Sequence, residues 1–249
     1  MLTVMCQINQ ALTGYGAVSV YGPQIFELLG DFGTMTAEYL TMGNYISYLL
    51  LMTFAWLLID ALGRRVLMLW GSGTLTICFL IMTLVGGLSY NSDKLSIPTL
   101  APAIPGIIAL YIATGAFGIG WLATVWLIPT EIFPTTARAQ GTAVSVIVWG
   151  LANFAITLLT PIMFNNLAYW IFAVFAATNL FAGVWTYFYL PESGNRTFEE
   201  NQQFFDDARE VGTWRVAKVH KEYKRMPYNG GLEEGEETPL LRRVRDQLE

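Results

Sequence analysis

Charge is scarce in this sequence: 13% of its 249 residues are Asp, Glu, Lys or Arg, while 54% are hydrophobic. Soluble domains carry about a quarter charged residues, so this is not the composition of one. The scarcity is also local. From Met1 to Leu190 the basic residues are Arg64, Arg65, Lys94 and Arg138, and the acidic ones are Glu27, Asp31, Glu38, Asp60, Asp93 and Glu131. The other 23 charges fall in the last 59 positions. A charge in hydrocarbon costs several kcal/mol and is tolerated where it is paired or wet. The division therefore predicts a membrane-embedded body, residues 1–190, followed by a solvated tail, residues 191–249, and the net charge of −5 belongs mostly to the tail.

Cysteine and histidine are almost missing as well. Cys6 and Cys78 both lie in apolar stretches, so they build neither a disulfide framework nor a zinc site and are read as small buried hydrophobes. His220 sits in the charged tail and is read as solvated. With no metal-spaced cluster, nucleophile elbow or phosphate loop, the chain is expected to be no enzyme and to need no cofactor or metal. An acidic tail argues against nucleic acid as a partner. The start, MLTVMCQINQALTG, lacks the basic region of a signal peptide and turns polar where the apolar region should continue.

What is abundant is long apolar sequence. About 20 such residues cross a bilayer, and six segments are expected to do so: residues 4–28, 44–59, 66–88, 103–128, 142–164 and 168–190. The first is interrupted by Gln7, Asn9, Gln10, Thr13, Gly14 and Gly16. In a bundle, polar and glycine-broken segments line cavities, where other helices or water satisfy them. Six crossings put the connections 60–65 and 129–141 on the same side as the tail. That side holds Arg64, Arg65, Arg138 and all the basic residues of the tail, and the other holds Lys94, so the tail is expected in the cytoplasm. The sequon Asn195-Arg196-Thr197 then lies inside the cell and stays unmodified. The tail itself reads as a short surface helix followed by disorder.

Four motifs stand in order along the body: INQALTGYGAVSVYGPQIFE, DALGRR at 60–65, WLIPTEIFPTTARAQG at 126–141 and LPESGNRT at 190–197. Together they resemble the sugar porter family of the major facilitator superfamily, from its seventh transmembrane segment to its exit from the twelfth. The resemblance implies an all-α integral membrane fold, six transmembrane helices corresponding to the C-terminal half of a major facilitator superfamily transporter. Such proteins have two six-helix halves with the substrate between them near the midplane. The chain is therefore expected to be a fragment, or a half that works with a partner.

The resemblance also assigns a substrate wall and a gate. Gln10, Tyr21, Trp126, Trp149 and Asn153 fall on the family's sugar-contacting segments. Indole faces stack on pyranose C–H groups, and amides serve hydroxyls in both directions. Gln10, Gly14, Ala17 and Tyr21 fall on one helical face by their spacings of 4, 3 and 4. Elsewhere the family pattern is departed from: Ala11, Gly16 and Tyr48 stand at amide positions, and Leu122-Ala123-Thr124-Val125 replaces a Gly-Pro-x-Pro run. These departures leave the substrate open between a hexose and another polyol. The bland alternative for Trp126 and Trp149 is interfacial anchoring.

Asp60, Arg64, Arg65, Glu131, Arg138 and Glu192 would form ion pairs of a cytoplasmic gate. Such pairs break and rehydrate as a cleft opens, so their energy differs between two states. The expected function is a sugar or polyol carrier working by alternating access, with the lipid bilayer as its solvent and protons as a second partner if the other half supplies a coupling carboxylate. The alternative is a membrane sugar sensor, against which the short tail without repeats argues. Glu236, Leu240 and Leu241 resemble an acidic dileucine sorting signal, and the plasma membrane is the expected location.

Overall fold

A computed structural model describes residues 1–30, 32–91, 100–133 and 136–192, apart from the side chains of Asp60, Leu100 and Ala101. The tail from residue 193, with its sequon, His220 and the Glu236, Leu240 and Leu241 signal, lies outside the described residues, as does Lys94. Among the described residues there is no strand. The order is α1 (Leu2–Leu12), α2 (Tyr15–Val20), α3 (Gly22–Gly30), α4 (Thr34–Thr53), α5 (Ala55–Leu62), α6 (Arg64–Tyr90), α7 (Leu100–Phe117), a π-helical turn (Gly118–Leu122), α8 (Ala123–Ile132), α9 (Arg138–Leu167), a 3-10 turn (Ala168–Trp170) and α10 (Ile171–Tyr189).

The helix ends have local causes. Gly14 takes φ +83° and Gly63 φ +88°, backbone that glycine adopts at no steric cost. Phe133 turns extended because it precedes Pro134, whose ring disfavours helical backbone in the residue before it. Within the helices, Thr and Ser hydroxyls recur as donors to the carbonyl four residues back: Thr41 to Ala37, Ser72 to Met68, Thr114 to Leu110, Thr124 to Gly120 and Thr186 to Ala182. A hydroxyl satisfied by its own helix can be carried through an apolar medium without another partner.

Packing centres on α6, which lies along both α7 and α10, while α1 runs against α9 and α3 against α4. The α6 crossing with the π-helical turn is close because glycine meets glycine: a Cβ on Gly120 would stand 2.8 Å from the Leu67 carbonyl oxygen and 2.9 Å from Gly71 Cα. Small residues at a crossing let apolar helices associate where no hydrophobic drive exists between them. Beside it the Trp121 indole N–H donates to Ser72 Oγ at 3.1 Å in the core.

Burial is inverted relative to a soluble protein. Gln7, Asn9, Gln10, Thr13, Asn44, Ser72, Thr124 and Asn179 are buried, while Trp56, Trp70, Leu84, Ile147, Leu151, Phe154, Leu158 and Phe181 are exposed. Apolar surface facing outward along whole helices is what a bilayer accepts. By length and apolar character four helical stretches can cross a membrane: Thr34–Ile59, Arg64–Tyr90, Pro102–Ile132 and Arg138–Tyr189. The last turns at Ala168, so the connection expected at 165–167 falls later, since α9 continues to Leu167. The second stretch begins at Thr34, earlier than its apolar run suggests, because polar residues such as Thr36, Glu38 and Asn44 join the helix. The segment expected at 4–28 is three helices, broken at Gly14 and Tyr21.

Candidate functional site

The break at Gly14 corrects the simple face of Gln10, Gly14, Ala17 and Tyr21, because no single helix carries the four residues. Gly14 has its own reason to be glycine: a Cβ there would stand 2.7 Å from the Phe175 ring. On the α1 side of the break, the amides of Gln7, Asn9 and Gln10 are at most 3% exposed and have no hydrogen-bond partner among the described residues. A buried amide left unpaired costs about 1–3 kcal/mol. All three lie on one short helix, α1.

Helix α9 provides the facing wall. Trp149, Asn153 and Thr157 recur every four residues and so share a face spanning about 12 Å at 1.5 Å per residue. Trp149 meets Trp126 edge to face, ring centroids 5.5 Å apart. Asn153 lies against Gly16, where any Cβ would collide with its Oδ1. The amide missing at position 16 thus coincides with an amide reaching in from α9. Pro161 has no N–H for the Thr157 carbonyl one turn back. The Tyr21 hydroxyl donates to that carbonyl at 3.4 Å, and its ring packs on Phe164. Beyond it a cleft of about 390 Å³ opens, lined by Tyr21, Gln24, Glu27, Phe164 and Asn165 among others.

The structure thus brings Trp126 to Trp149, Asn153 to Gly16, and Tyr21 to α9, in that order along one stripe. Gln10 makes no hydrogen bond to any of them. Sequence reasoning missed an aromatic stack on the break: Tyr15 lies 4.1 Å from Phe117 and 5.1 Å from Tyr48, centroid to centroid, and Tyr48 in turn covers Gly118 of the π-helical turn. The signal was the Tyr following Gly14, but its neighbours come from distant helices. Gln7 and Asn9 were visible only as interruptions of an apolar run.

The charged residues gather at one end, where α6 begins, α8 ends and α10 exits. Arg64 pairs with Glu131 through Nη2 at 2.9 Å and Nε at 3.0 Å, both to Oε1, and its Nη1 donates to the Ile59 carbonyl. The pair is mostly shielded, with side chains 13% and 19% exposed. An acidic residue in the last turn of a helix opposes the helix dipole, so Glu131 depends on its arginine. Glu192 accepts from the backbone N–H groups of Arg64 and Arg65 at 2.8 and 3.1 Å, an anion at the α6 N-terminus where those donors are otherwise free. Gly63 makes room, since a Cβ there would stand 2.8 Å from the Glu192 carboxyl. Arg65 reaches the other way, donating to the Tyr187 carbonyl at 2.7 Å and lying over the Tyr187 ring. Arg138 begins α9; the Asp60 side chain lies outside the described residues.

An apolar-faced, all-helical bundle with inward polar groups and ion pairs at one end is an integral, multi-pass membrane protein. A family model described as "Sugar (and other) transporter" matches residues 1–205. The chain belongs to that family, the sugar porters of the major facilitator superfamily. It is 32% identical over 203 residues to an MFS-type transporter, oryC, of Aspergillus oryzae, covering 80% of this chain and 36% of that protein. It is 32% identical over 199 residues to a probable quinate permease of Aspergillus fumigatus, covering 78% of this chain and 36% of the relative. A facilitated glucose transporter, member 3, of Bos taurus is 30% identical over 213 residues, covering 86% and 41%. The fold matches that of a crystallised D-xylose–proton symporter with a TM-score of 0.66 and 24% identity, over 78% of this chain and 43% of that one. The chain thus spans less than half the length of the proteins it matches.

Proposed function

We propose that this chain is one wall and the inner gate of a carrier that moves a sugar or related polyol by alternating access. The observation that carries the reading is the set of buried, unpartnered amides at Gln7, Asn9 and Gln10 next to the break in α1. Hydroxyl-rich solutes offer donors and acceptors together, and an amide serves both. Trp126 and Trp149 supply the aromatic face, and Asn153 and Tyr21 extend the wall toward the open cleft. The Arg64–Glu131 pair, with Arg65, Arg138, Glu192 and Asp60, closes the opposite end. That end faces the cytoplasm, with the tail, and the plasma membrane is the proposed location. Proton coupling would need a carboxylate from outside this chain.

The test is uptake of radiolabelled D-glucose, D-xylose and quinate by hexose-transport-deficient yeast expressing the carrier that contains these helices. Saturable uptake of at least one is expected, reduced more than about tenfold by Gln10→Ala or Trp126→Ala, the size of one lost hydrogen-bonded or stacked contact. Uptake that survives both substitutions unchanged would remove the wall from the substrate path.

A further inference from the structure

The break at Gly14 leaves the last turn of α1 without the backbone donors that a continuing helix would supply, and each carbonyl there can be followed to its partner. Asn9 accepts from the Thr13 N–H at 3.1 Å, Gln10 from the Thr13 hydroxyl at 2.6 Å, Ala11 from the Gly14 N–H at 3.4 Å and Gly14 from the Val18 N–H at 3.0 Å. The two carbonyls between, Leu12 and Thr13, are served from another helix. The Thr178 hydroxyl donates to Leu12 at 2.7 Å, and Asn179 Nδ2 donates to Thr13 at 3.0 Å. The second hydrogen of the Asn179 amide goes to its own Phe175 carbonyl at 2.7 Å, so both of its donors are engaged. Phe175, Thr178 and Asn179 are spaced three and four apart and share one face of α10. That face covers Gly14 with a ring and caps the broken end with two side chains.

We propose that Thr178 and Asn179 are positioning residues of the substrate wall: capping the open end of α1 from α10, they hold Gln10 at a fixed depth in the bundle. The link to substrate rests on the carrier reading above, whereas the cap itself does not. The contacts beyond the break differ in kind. On the α1 side the holding bonds come from α10 and Asn179 is fully buried, while residues 15–30 are held from other helices, by the Tyr21 hydroxyl on the Thr157 carbonyl of α9 at 3.4 Å and by the Tyr45 hydroxyl of α4 on the Ser19 carbonyl. Gln10 is therefore tied to α10, and the segment after Gly14 is not.

The two native cysteines report on this without any ligand. Cys6 is fully buried on α1, one turn before Gln10, and Cys78 is buried on α6, a helix that takes no part in the cap. In membrane vesicles holding the full-length chain, labelling by N-ethylmaleimide is followed by peptide mass spectrometry. With Thr178→Val and Asn179→Leu combined, Cys6 labelling is expected to rise about tenfold while Cys78 stays within about twofold, the pattern of a local opening. Thr178→Ser, which keeps the hydroxyl, is expected to label like the parent. An unchanged Cys6, or an equal rise at both cysteines, overturns the proposal. In the uptake assay with the same three solutes, the double variant is expected to raise the apparent KM about tenfold with Vmax within about twofold, the signature of misplaced binding groups. An unchanged KM with Cys6 opened overturns the link to Gln10. A parent that takes up none of the three solutes while the Cys6 response persists counts against the carrier and leaves the cap standing.

Discussion

At the Arg64–Glu131 end of the bundle the carboxylates are satisfied from within the fold, although Arg65 Nε has no hydrogen-bond partner among the described residues; around Gln10 the amides are not satisfied. Arg64 is held by a carboxylate and a carbonyl, and Glu192 sits on two backbone N–H groups. Gln7, Asn9 and Gln10 are more deeply buried, yet unpartnered among the described residues. Polar groups that pair within the fold contribute stability and can act as a latch that opens when water replaces the partner. Polar groups that are buried without partners cost stability, and they are retained where an outside partner repays that cost. Paired polar groups therefore support the proposed gate at one end, and unpaired ones the proposed binding wall.

Four substitutions test this contrast. Gly63→Ala, at φ +88° and ψ 157° with Glu192 in the way, should be the most damaging, losing about 3 kcal/mol, because almost no residue but glycine adopts that backbone. Thermal unfolding in detergent would show it as the largest drop in Tm. Glu131→Gln keeps the shape but removes the charge opposite Arg64, and a partly shielded pair of this kind is worth about 2 kcal/mol, between exposed and buried pairs. Its loss should also be partly mimicked in the parent by high salt, a dependence the variant would lack. Gln10→Leu reverses the sign. Replacing an unpaired buried amide by an apolar group should raise stability by about 1 kcal/mol while uptake collapses. A Gln10→Leu protein that is less stable than the parent would mean that Gln10 is satisfied within the fold. Smallest of all is Tyr21→Phe: its 3.4 Å bond is at the limit of a hydrogen bond, so the change should stay within about 0.5 kcal/mol.

Much of the charged cluster was legible in advance. Glu131 inside an apolar helix end called for a cation, and Arg64, in the preceding motif, supplies it. The placement of Glu192 was less visible, because it accepts from backbone N–H groups at the start of α6, and only the fold of Gly63 shows why. On the proposed wall, the common face of Trp149 and Asn153 follows from helical spacing, whereas the meeting of Trp149 with Trp126 on α8 needs the packed fold. The face drawn through Gln10, Gly14, Ala17 and Tyr21 did not survive, because a left-handed glycine interrupts the period that such a face needs. Thr178 and Asn179 look in sequence like a polar interruption of the last apolar segment. Their meaning depends on two carbonyls of α1 that lie more than 160 residues away along the chain.

The sequence by itself determined that this is a membrane protein of helices, which family it belongs to, and which end carries the charges. Those properties follow from composition, local spacing and motif order, and none needs to know which helix touches which. Only the tertiary structure decided which amides stay unpaired, where α1 ends and who caps it, and which carboxylate meets Arg64 and which one sits on the start of α6. Each of those is a matter of hydrogen-bond partners at about 3 Å, a range over which chain position says nothing until the helices are packed.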